Sequence, residues 1–131
     1  MAFKIYSIDG GRVPGIEYLP CSAITPKVGM ALTQSSGNLA LATGTTKPTY
    51  ISMCERSAAC AAGELIPVIR VLPDMVLETV FSATATSINL GDKVTLASDG
   101  LRVTATTTSG VAEVVYKDGT GASGDMCRVR F

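Results

Sequence analysis

Short apolar segments recur along the chain, with polar residues alternating inside them and turn-forming residues between them. Turn signals at roughly ten-residue spacing are typical of a β-sandwich or a small barrel. The predicted strands are Ile16–Ser22, Gly29–Thr33, Leu39–Thr43, Thr49–Glu55, Leu65–Leu72, Met75–Thr84, Lys93–Ala97, Leu101–Thr106, Val111–Lys117 and Met126–Phe131. The pattern therefore predicts an all-β fold, a small β-barrel or sandwich.

Three segments leave the assignment open. Met75–Phe81 is also compatible with one or two helical turns. Ala58–Glu64 is compatible with a short helix capped by Gly63, because alanine is the best helix former. Pro67 lies inside a predicted strand and cannot donate a hydrogen bond to its neighbour, so it indicates an edge strand or a bulge.

The sequence repeats itself at an offset of about sixty residues, with residues 16–71 corresponding to 78–131. Periods of this length indicate pseudo-symmetric units that share one core. We therefore predict a single domain over 16–131, built from two pseudo-repeated β-units about a pseudo-twofold axis. The matched positions, expected to be equivalent in the fold, are Val28-Gly29 with Leu90-Gly91, Leu32-Thr33 with Val94-Thr95, Leu39 with Leu101, Leu41 with Val103, Ala61–Leu65 with Ala122–Met126, and Val68 with Val129.

Each copy carries a hairpin signal at the same place. Gly37-Asn38 in the first copy corresponds to Asp99-Gly100 in the second. Both dipeptides suit the positive φ angles of a tight two-residue turn. Outside these turns, the simplest core assignment includes Ile5, Ile16, Val68, Ile69 and Val71.

Residues 1–15 lie outside the repeat and are predicted to form an extended N-terminal arm. The arm begins with a strand-like apolar patch, which Asp9-Gly10-Gly11 ends. It packs on its own barrel or, if it detaches, adds as a strand to the sheet edge of a neighbour. The candidate residues for a contact with a partner or another subunit are Phe3, Lys4, Ile5, Tyr6, Ile8 and Arg12.

The chain carries eleven basic and eleven acidic residues, so its formal net charge is zero. A nucleic-acid-binding protein needs a basic surface for phosphates, so we expect no nucleic-acid partner. No apolar segment reaches the length of a membrane span, and the N-terminus lacks the pattern of a secretory signal. We therefore expect no membrane partner and synthesis in a cytoplasm.

The four cysteines, Cys21, Cys54, Cys60 and Cys127, include no C-x-x-C pair. In a cytoplasmic protein they are expected to be free thiols, packed like small hydrophobic side chains. A disulfide is the alternative. A structural zinc site is not expected, because the chain has no histidine and no closely spaced pair of ligands.

No catalytic set is apparent in the sequence. Histidine, the usual general base, is absent, and the acids are scattered or lie in predicted turns. Gly10-Gly11 and Gly119-Thr120-Gly121 lack the Lys-Ser/Thr ending of a phosphate loop. A reactive pair of Cys54 and Cys60 would need an electropositive pocket. We predict that the protein is not an enzyme and that it binds no cofactor or metal.

Aromatic platforms for a sugar are scarce, since the chain has four tyrosines, three phenylalanines and no tryptophan. Tyr50 and Tyr116 fall in corresponding strands of the two copies, which favours a core or interface role. A module that binds a carbohydrate or a host surface is therefore an alternative function.

Several strand and turn phrases together resemble one family. They are Gly91–Leu96, Asp99-Gly100, Gly110–Val115 and Gly124–Phe131, with Lys27–Leu32 and Ala61–Val68 in the first copy. These phrases resemble the capsid decoration proteins, also called cement or auxiliary head proteins, of tailed double-stranded DNA bacteriophages. The resemblance extends over nearly all of residues 16–131. None of the family's binding residues matches a particular position here.

The resemblance implies a structural virion protein with no catalytic role. Such a protein is made in the host bacterial cytoplasm and binds the outer surface of the expanded head, between capsomers. There it contacts the major capsid protein and stabilises the capsid against the pressure of packaged DNA. Some members are trimers that grip the shell through an N-terminal arm, which implies the same role for residues 1–15. Another phage structural β-domain, from a tail or head fibre, is the alternative in this class.

Overall fold

The computed structural model describes residues 2–8 and 14–131. The described residues contain strands and no helix, which confirms the all-β prediction. The strands are β1 (Lys4–Ile8), β2 (Ile16–Cys21), β3 (Ala31–Ser35), β4 (Asn38–Leu41), β5 (Tyr50–Ser52), β6 (Glu64–Arg70), β7 (Met75–Val80), β8 (Lys93–Val94), β9 (Ala112–Lys117) and β10 (Met126–Arg130). We call β2–β6 with their loops the first unit and residues 75–131 the second unit.

The first unit is a closed barrel in the order β2-β4-β3-β5-β6. Its strand pairs are antiparallel except for β2 and β4, which run parallel and meet at Cys21 and Leu39. Successive side chains of a strand point to opposite faces, so alternate residues fill the barrel interior. The buried interior residues are Cys21, Met30, Leu32, Leu39, Tyr50, Cys60, Ile66 and Val68.

The second unit repeats this pairing, with β1 added at one edge. Its sheet has the order β1-β7-β10-β9-β8, in which β7, β8, β9 and β10 correspond to β2, β3, β5 and β6. A single residue, Val103, takes the place of β4. Val103 bridges Leu96 in antiparallel and Phe81 in parallel orientation, as Leu39 of β4 does with Gln34 and Cys21. Val103 thus corresponds to Leu39, and the predicted matches of Leu41 with Val103 and of Leu39 with Leu101 are wrong. The predicted strand Leu101–Thr106 is thus shortened to isolated bridges.

Backbone hydrogen bonds outside the strands also recur in the two units. The N–H of Gly29 donates to the carbonyl of Ser52 at 2.8 Å, and that of Gly91 donates to the carbonyl of Val114 at 2.8 Å. Both glycines have positive φ angles, 81° and 96°. Equivalent loops of the two units therefore adopt the same backbone conformation.

An acidic turn precedes the last strand of each unit. The Ala61 N–H donates to a carboxylate oxygen of Glu64 at 3.0 Å, and the Ala122 N–H donates to Asp125 at 2.9 Å. In each turn the acid also donates its own backbone N–H to the alanine carbonyl. The two turns therefore have the same hydrogen-bond pattern, which accounts for the match between their sequences.

The contact between the units is not symmetric. On the first unit, Ile51 and Ile69 point away from the barrel interior and are buried in one cluster with Leu77 of the second unit. Their counterparts in the second unit, Glu113 and Arg130, form a partly exposed ion pair at 2.8 Å. A twofold axis between the units would bury both pairs. The predicted pseudo-twofold relation is therefore wrong, because the two units meet through different faces.

The β3–β4 hairpin turns one residue earlier than predicted. Ser35 pairs with Asn38, so Ser36 and Gly37 form the turn, with φ angles of 51° and 81°. Two positive φ angles are typical of a type I′ turn. Neither alternative helix is present, because β7 is a strand and residues 58–63 are irregular.

Pro67 lies in a central strand, so the predicted edge strand or bulge is wrong. β6 pairs with β2 on one side and with β5 on the other, without a register shift. Pro67 is opposite Tyr18, and its carbonyl accepts a hydrogen bond from the Met53 N–H at 2.9 Å. Another residue at this position would direct its N–H toward β5. Because β5 ends at Ser52, opposite Val68, no hydrogen bond of the β5–β6 ladder is lost at Pro67.

Cys21 and Cys60 form a disulfide inside the first unit, so the prediction of free thiols is wrong for these two residues. Their Cα atoms are 6.3 Å apart, within the usual range for a disulfide. The second unit has Phe81 and Gly121 at the corresponding positions, and Phe81 is fully buried there. The disulfide of the first unit thus occupies the place that the buried phenylalanine ring occupies in the second unit.

The two free thiols are expected to differ sharply in reactivity. Cys54 is half-buried, whereas Cys127 is fully buried, and burial raises the pKa of the Cys127 thiol to about 12. The thiolate is the reactive form, so iodoacetamide at pH 8 should modify Cys54 alone. Mass spectrometry before and after unfolding in guanidinium checks this. Modification of Cys127 in the folded protein would contradict its placement in the core.

Candidate interaction surface

The described part of the predicted arm is fixed to both units. β1 pairs in antiparallel orientation with β7, with Lys4 opposite Glu78. Phe3 is only 3% exposed, and its ring centroid is 5.6 Å from that of Phe131. Its N–H also donates to the carbonyl of Gly29 at 3.0 Å. Phe3 therefore fills the seam between the units and is not free to contact another protein.

The remaining arm residues are more accessible. Tyr6 is 53% exposed, and the guanidinium carbon of Arg128 lies 3.7 Å from its ring centroid and 4.5 Å from that of Tyr116. This stacking holds the arm to β10 and β9. Of the other predicted contact residues, Lys4 and Ile5 are exposed, Ile8 is partly buried against the core, and Arg12 lies outside the described residues.

The outer face of β2 and β6 is an exposed apolar surface. Ile16, Tyr18 and Leu65 are 57%, 64% and 56% exposed, respectively. They point outward because the residues between them line the barrel interior or its mouth. Directly opposed pairs on this face are Ile16 with Ile69, Tyr18 with Pro67, and Pro20 with Leu65. We call the accessible members, Ile16, Tyr18, Pro20, Leu65 and Pro67, the apolar wall.

An apolar groove adjoins the apolar wall. Met53, which donates its N–H to Pro67, lines this groove together with Val28 and Ile5. These three side chains are each partly exposed, and Phe3 lies beneath them. The apolar surface therefore continues from the barrel wall to the base of the arm.

The second unit has a charged pair at the positions that correspond to the centre of the apolar wall. Glu78 corresponds to Tyr18 and Arg128 corresponds to Pro67, and these two charged side chains form an ion pair at 3.2 Å. A fold of this kind therefore does not require apolar residues on that outer face. Exposed apolar area of this extent is unfavourable in water and is typical of a protein-binding site.

The prediction of Ile5 and Ile16 as core residues is wrong, since both are exposed. The apolar wall could not be recognised from the sequence, because β2 and β6 are largely apolar on both faces, a pattern typical of fully buried strands. The repeat contains the signal that identifies it. Tyr18 and Pro67 align with Glu78 and Arg128, so their face is open to solvent in at least one copy.

No metal site is formed by the part of the chain that the structure describes. Most carboxylates with side-chain partners are bound to arginines or to backbone N–H groups. The Arg–carboxylate pairs are Glu17–Arg70, Glu64–Arg56, Glu78–Arg128, Asp99–Arg102 and Glu113–Arg130. A hydrogen bond to Glu17 raises the pKa of the Arg70 guanidinium. The absence of enzymatic activity stays a prediction.

The tyrosines do not form a sugar platform. Tyr50 is buried in the first barrel, and Tyr18 stands on the apolar wall away from Tyr6 and Tyr116. One face of both Tyr6 and Tyr116 is occupied by Arg128. Carbohydrate binding therefore has no structural support from paired aromatic rings.

No helix in the described residues is long and apolar enough to cross a membrane. No known protein family model matches the chain, and no curated protein matches it either. The apolar wall is thus the feature from which function is inferred.

Proposed function

We propose that the protein is a structural virion protein that binds the outer surface of a phage head and stabilises the expanded capsid. The major capsid protein is the proposed partner, and the apolar wall is the proposed contact. Synthesis takes place in the host bacterial cytoplasm, and the protein acts on the virion. This proposal joins the sequence resemblance to an exposed surface that a monomer of this fold does not need.

The observation that carries the proposal is the contrast between the two units. They share one topology, but at the centre of this outer face the first unit has Tyr18 and Pro67 where the second has the ion pair of Glu78 and Arg128. Because the backbone of a closed barrel is already fixed, binding through these side chains requires no ordering of the backbone. Repetition of one modest contact around a symmetric shell then gives strong overall attachment.

The structure changes the predicted role of the arm. Phe3 contributes to the seam between the units, and Tyr6 is stacked on Arg128, so residues 2–8 of the arm pack on the folded units. We assign the capsid contact to the apolar wall and keep Lys4 and Ile5 as candidates at its margin. The resemblance also allows a homotrimer, which sedimentation analysis of the purified protein tests.

Co-sedimentation with heads of the parent phage tests the proposed function. Saturable binding to expanded heads, without binding to unexpanded heads, is the expected result. Absence of binding to both forms would refute the decoration role and favour a tail, fibre or receptor-binding role.

Leu65→Lys is expected to weaken head binding by at least about tenfold, because a charge placed within an apolar contact must be desolvated. Its free energy of unfolding should change by less than about 0.5 kcal/mol, since Leu65 is already exposed. Leu90→Lys is the matched control, because Leu90 is 61% exposed but lies in a loop of the second unit. Equal binding by the two variants would exclude the apolar wall as the contact.

A further inference from the structure

One edge of β2 is open where the corresponding edge of β7 is occupied. β2 pairs with β6 along its whole length, from Ile16 to Cys21. On its other side, its described pairing is limited to Cys21 with Leu39 of β4. The backbone groups of Ile16 and Tyr18 on that side have no strand partner among the described residues.

The second unit shows what fits this position. There, β7 is bridged by Val103 at its end, and β1 fills the rest of the same edge. Lys4 of β1 lies opposite Glu78, and Ile5 lies opposite Leu77. The fold thus already accepts an antiparallel strand at this place in one of its two copies.

Equivalent residues define the open edge in the first unit. Tyr18 corresponds to Glu78, and Glu17 corresponds to Leu77, because each pair has the same register relative to the last strand of its unit. A strand added to β2 as β1 is added to β7 would place its residues opposite Tyr18 and Glu17. Antiparallel addition of this kind satisfies exposed backbone groups and is a common mode of peptide recognition.

We propose that the Ile16–Tyr18 edge of β2 binds an extended segment of a different protein as an added antiparallel strand. The segment takes the position that β1 has on β7. The inference goes beyond the proposed function, because it specifies a mode of binding and does not require that the partner be a capsid subunit.

The charges at the edge determine the chemistry of the added strand. Glu17 lies at the barrel mouth and is bonded to Arg70 at 3.2 Å, so an apolar residue opposite Glu17 would be poorly matched. A basic residue there gains an opposite-charge pair across the strands. Tyr18 points outward on the apolar wall, so an apolar residue opposite it gains cross-strand packing. The partner strand therefore carries an outward apolar residue followed by an inward basic one.

A second copy of this chain does not meet that requirement. β1 has the reverse order, with Lys4 outward and Ile5 opposite a buried leucine. Removing β1 from β7 would also empty the seam that Phe3 fills. The partner strand is therefore assigned to another protein.

Two peptides of identical composition test this proposal on the full-length, ¹⁵N-labelled protein. The first copies residues 2–8 with Lys4→Ile and Ile5→Lys, and the second keeps the native order of residues 2–8. The exchanged peptide should shift the amide resonances of residues 16–19 with a dissociation constant on the order of 1 mM. The native-order peptide should bind about fivefold more weakly, because both of its side chains are mismatched.

Amide exchange and one proline variant locate the site. The Tyr18 amide should exchange rapidly in the free protein and slow by about sixfold at a free peptide concentration of about five times the dissociation constant. Tyr18→Pro removes the edge N–H while leaving the bonds to β6, so the variant should fold and lose the peptide-induced shifts. Leu19→Pro is the contrast: N–H groups alternate between the two sides of a strand, so this variant loses a hydrogen bond to β6 and should be destabilised.

Several results would overturn the proposal. If neither peptide binds, the proposed site is refuted. If both peptides bind equally, the stated preference for an apolar residue followed by a basic one is refuted. If the protection of the Tyr18 amide against exchange increases with protein concentration when no peptide is present, the edge binds a second copy of the chain. If Tyr18→Pro fails to fold, the exchange measurement on the unmodified protein still decides the outcome.

Discussion

Gly29→Ala is expected to lower the free energy of unfolding by about 2–4 kcal/mol and to displace the arm. A Cβ at this position would lie 2.6 Å from both the Ala2 Cβ and the Phe3 carbonyl oxygen. The φ angle of 81° adds further strain for a residue with a side chain. Because Phe3 must move, the variant also loses part of the packing in the seam. Denaturant unfolding measures the change.

Gly91→Ala is the matched control. Gly91 occupies the equivalent loop of the second unit with a φ of 96°, but nothing lies within 4 Å of an added Cβ. Its cost should therefore be limited to backbone strain, about 1 kcal/mol. Equal destabilisation by the two substitutions would contradict the close approach of the arm to Gly29.

Cys60→Ala is expected to lower the free energy of unfolding by about 4 kcal/mol, because it removes a disulfide that closes a loop with a sequence separation of 39. The cross-link reduces the conformational entropy of the unfolded chain, so its loss favours unfolding. Cys21 and Cys60 are also buried, and the truncated side chain leaves a small void. Thermal and denaturant unfolding both report this loss.

Two comparisons separate the disulfide from packing. Cys54→Ala leaves the disulfide intact and removes a half-buried thiol, so it should cost less than about 1 kcal/mol. A reducing agent should destabilise the unmodified protein and leave Cys60→Ala unchanged. Insensitivity of the unmodified protein to reduction would contradict a disulfide that contributes to stability.

The strand pattern and the repeat could be predicted because both depend on local sequence. Alternation of apolar and polar residues and the Gly-rich turns define most strands to within a few residues. The segment around Val103 was predicted too long because apolar residues continue where strand pairing does not. The packing of the units could not be predicted, because it depends on which outer faces are buried.

The candidate surface was harder to predict from the sequence. Ile16 and Ile69 are directly opposed and chemically alike, yet Ile16 is 57% exposed and Ile69 is 5% exposed. Only the position of the second unit distinguishes them. Likewise, the spacing of Cys21 and Cys60 contains no motif, and β2 and the loop before β6 bring them together in space.

The stability of DNA-filled heads, measured as the protein is added, tests the central claim most directly. Expanded heads that lack the protein should release DNA at a higher temperature as protein is added, with the effect saturating at a fixed ratio of protein to capsid subunits. Leu90→Lys should give the same rise, and Leu65→Lys should give little or none. An unchanged release temperature, with binding equal on expanded and unexpanded heads, would contradict a role in stabilising the expanded capsid.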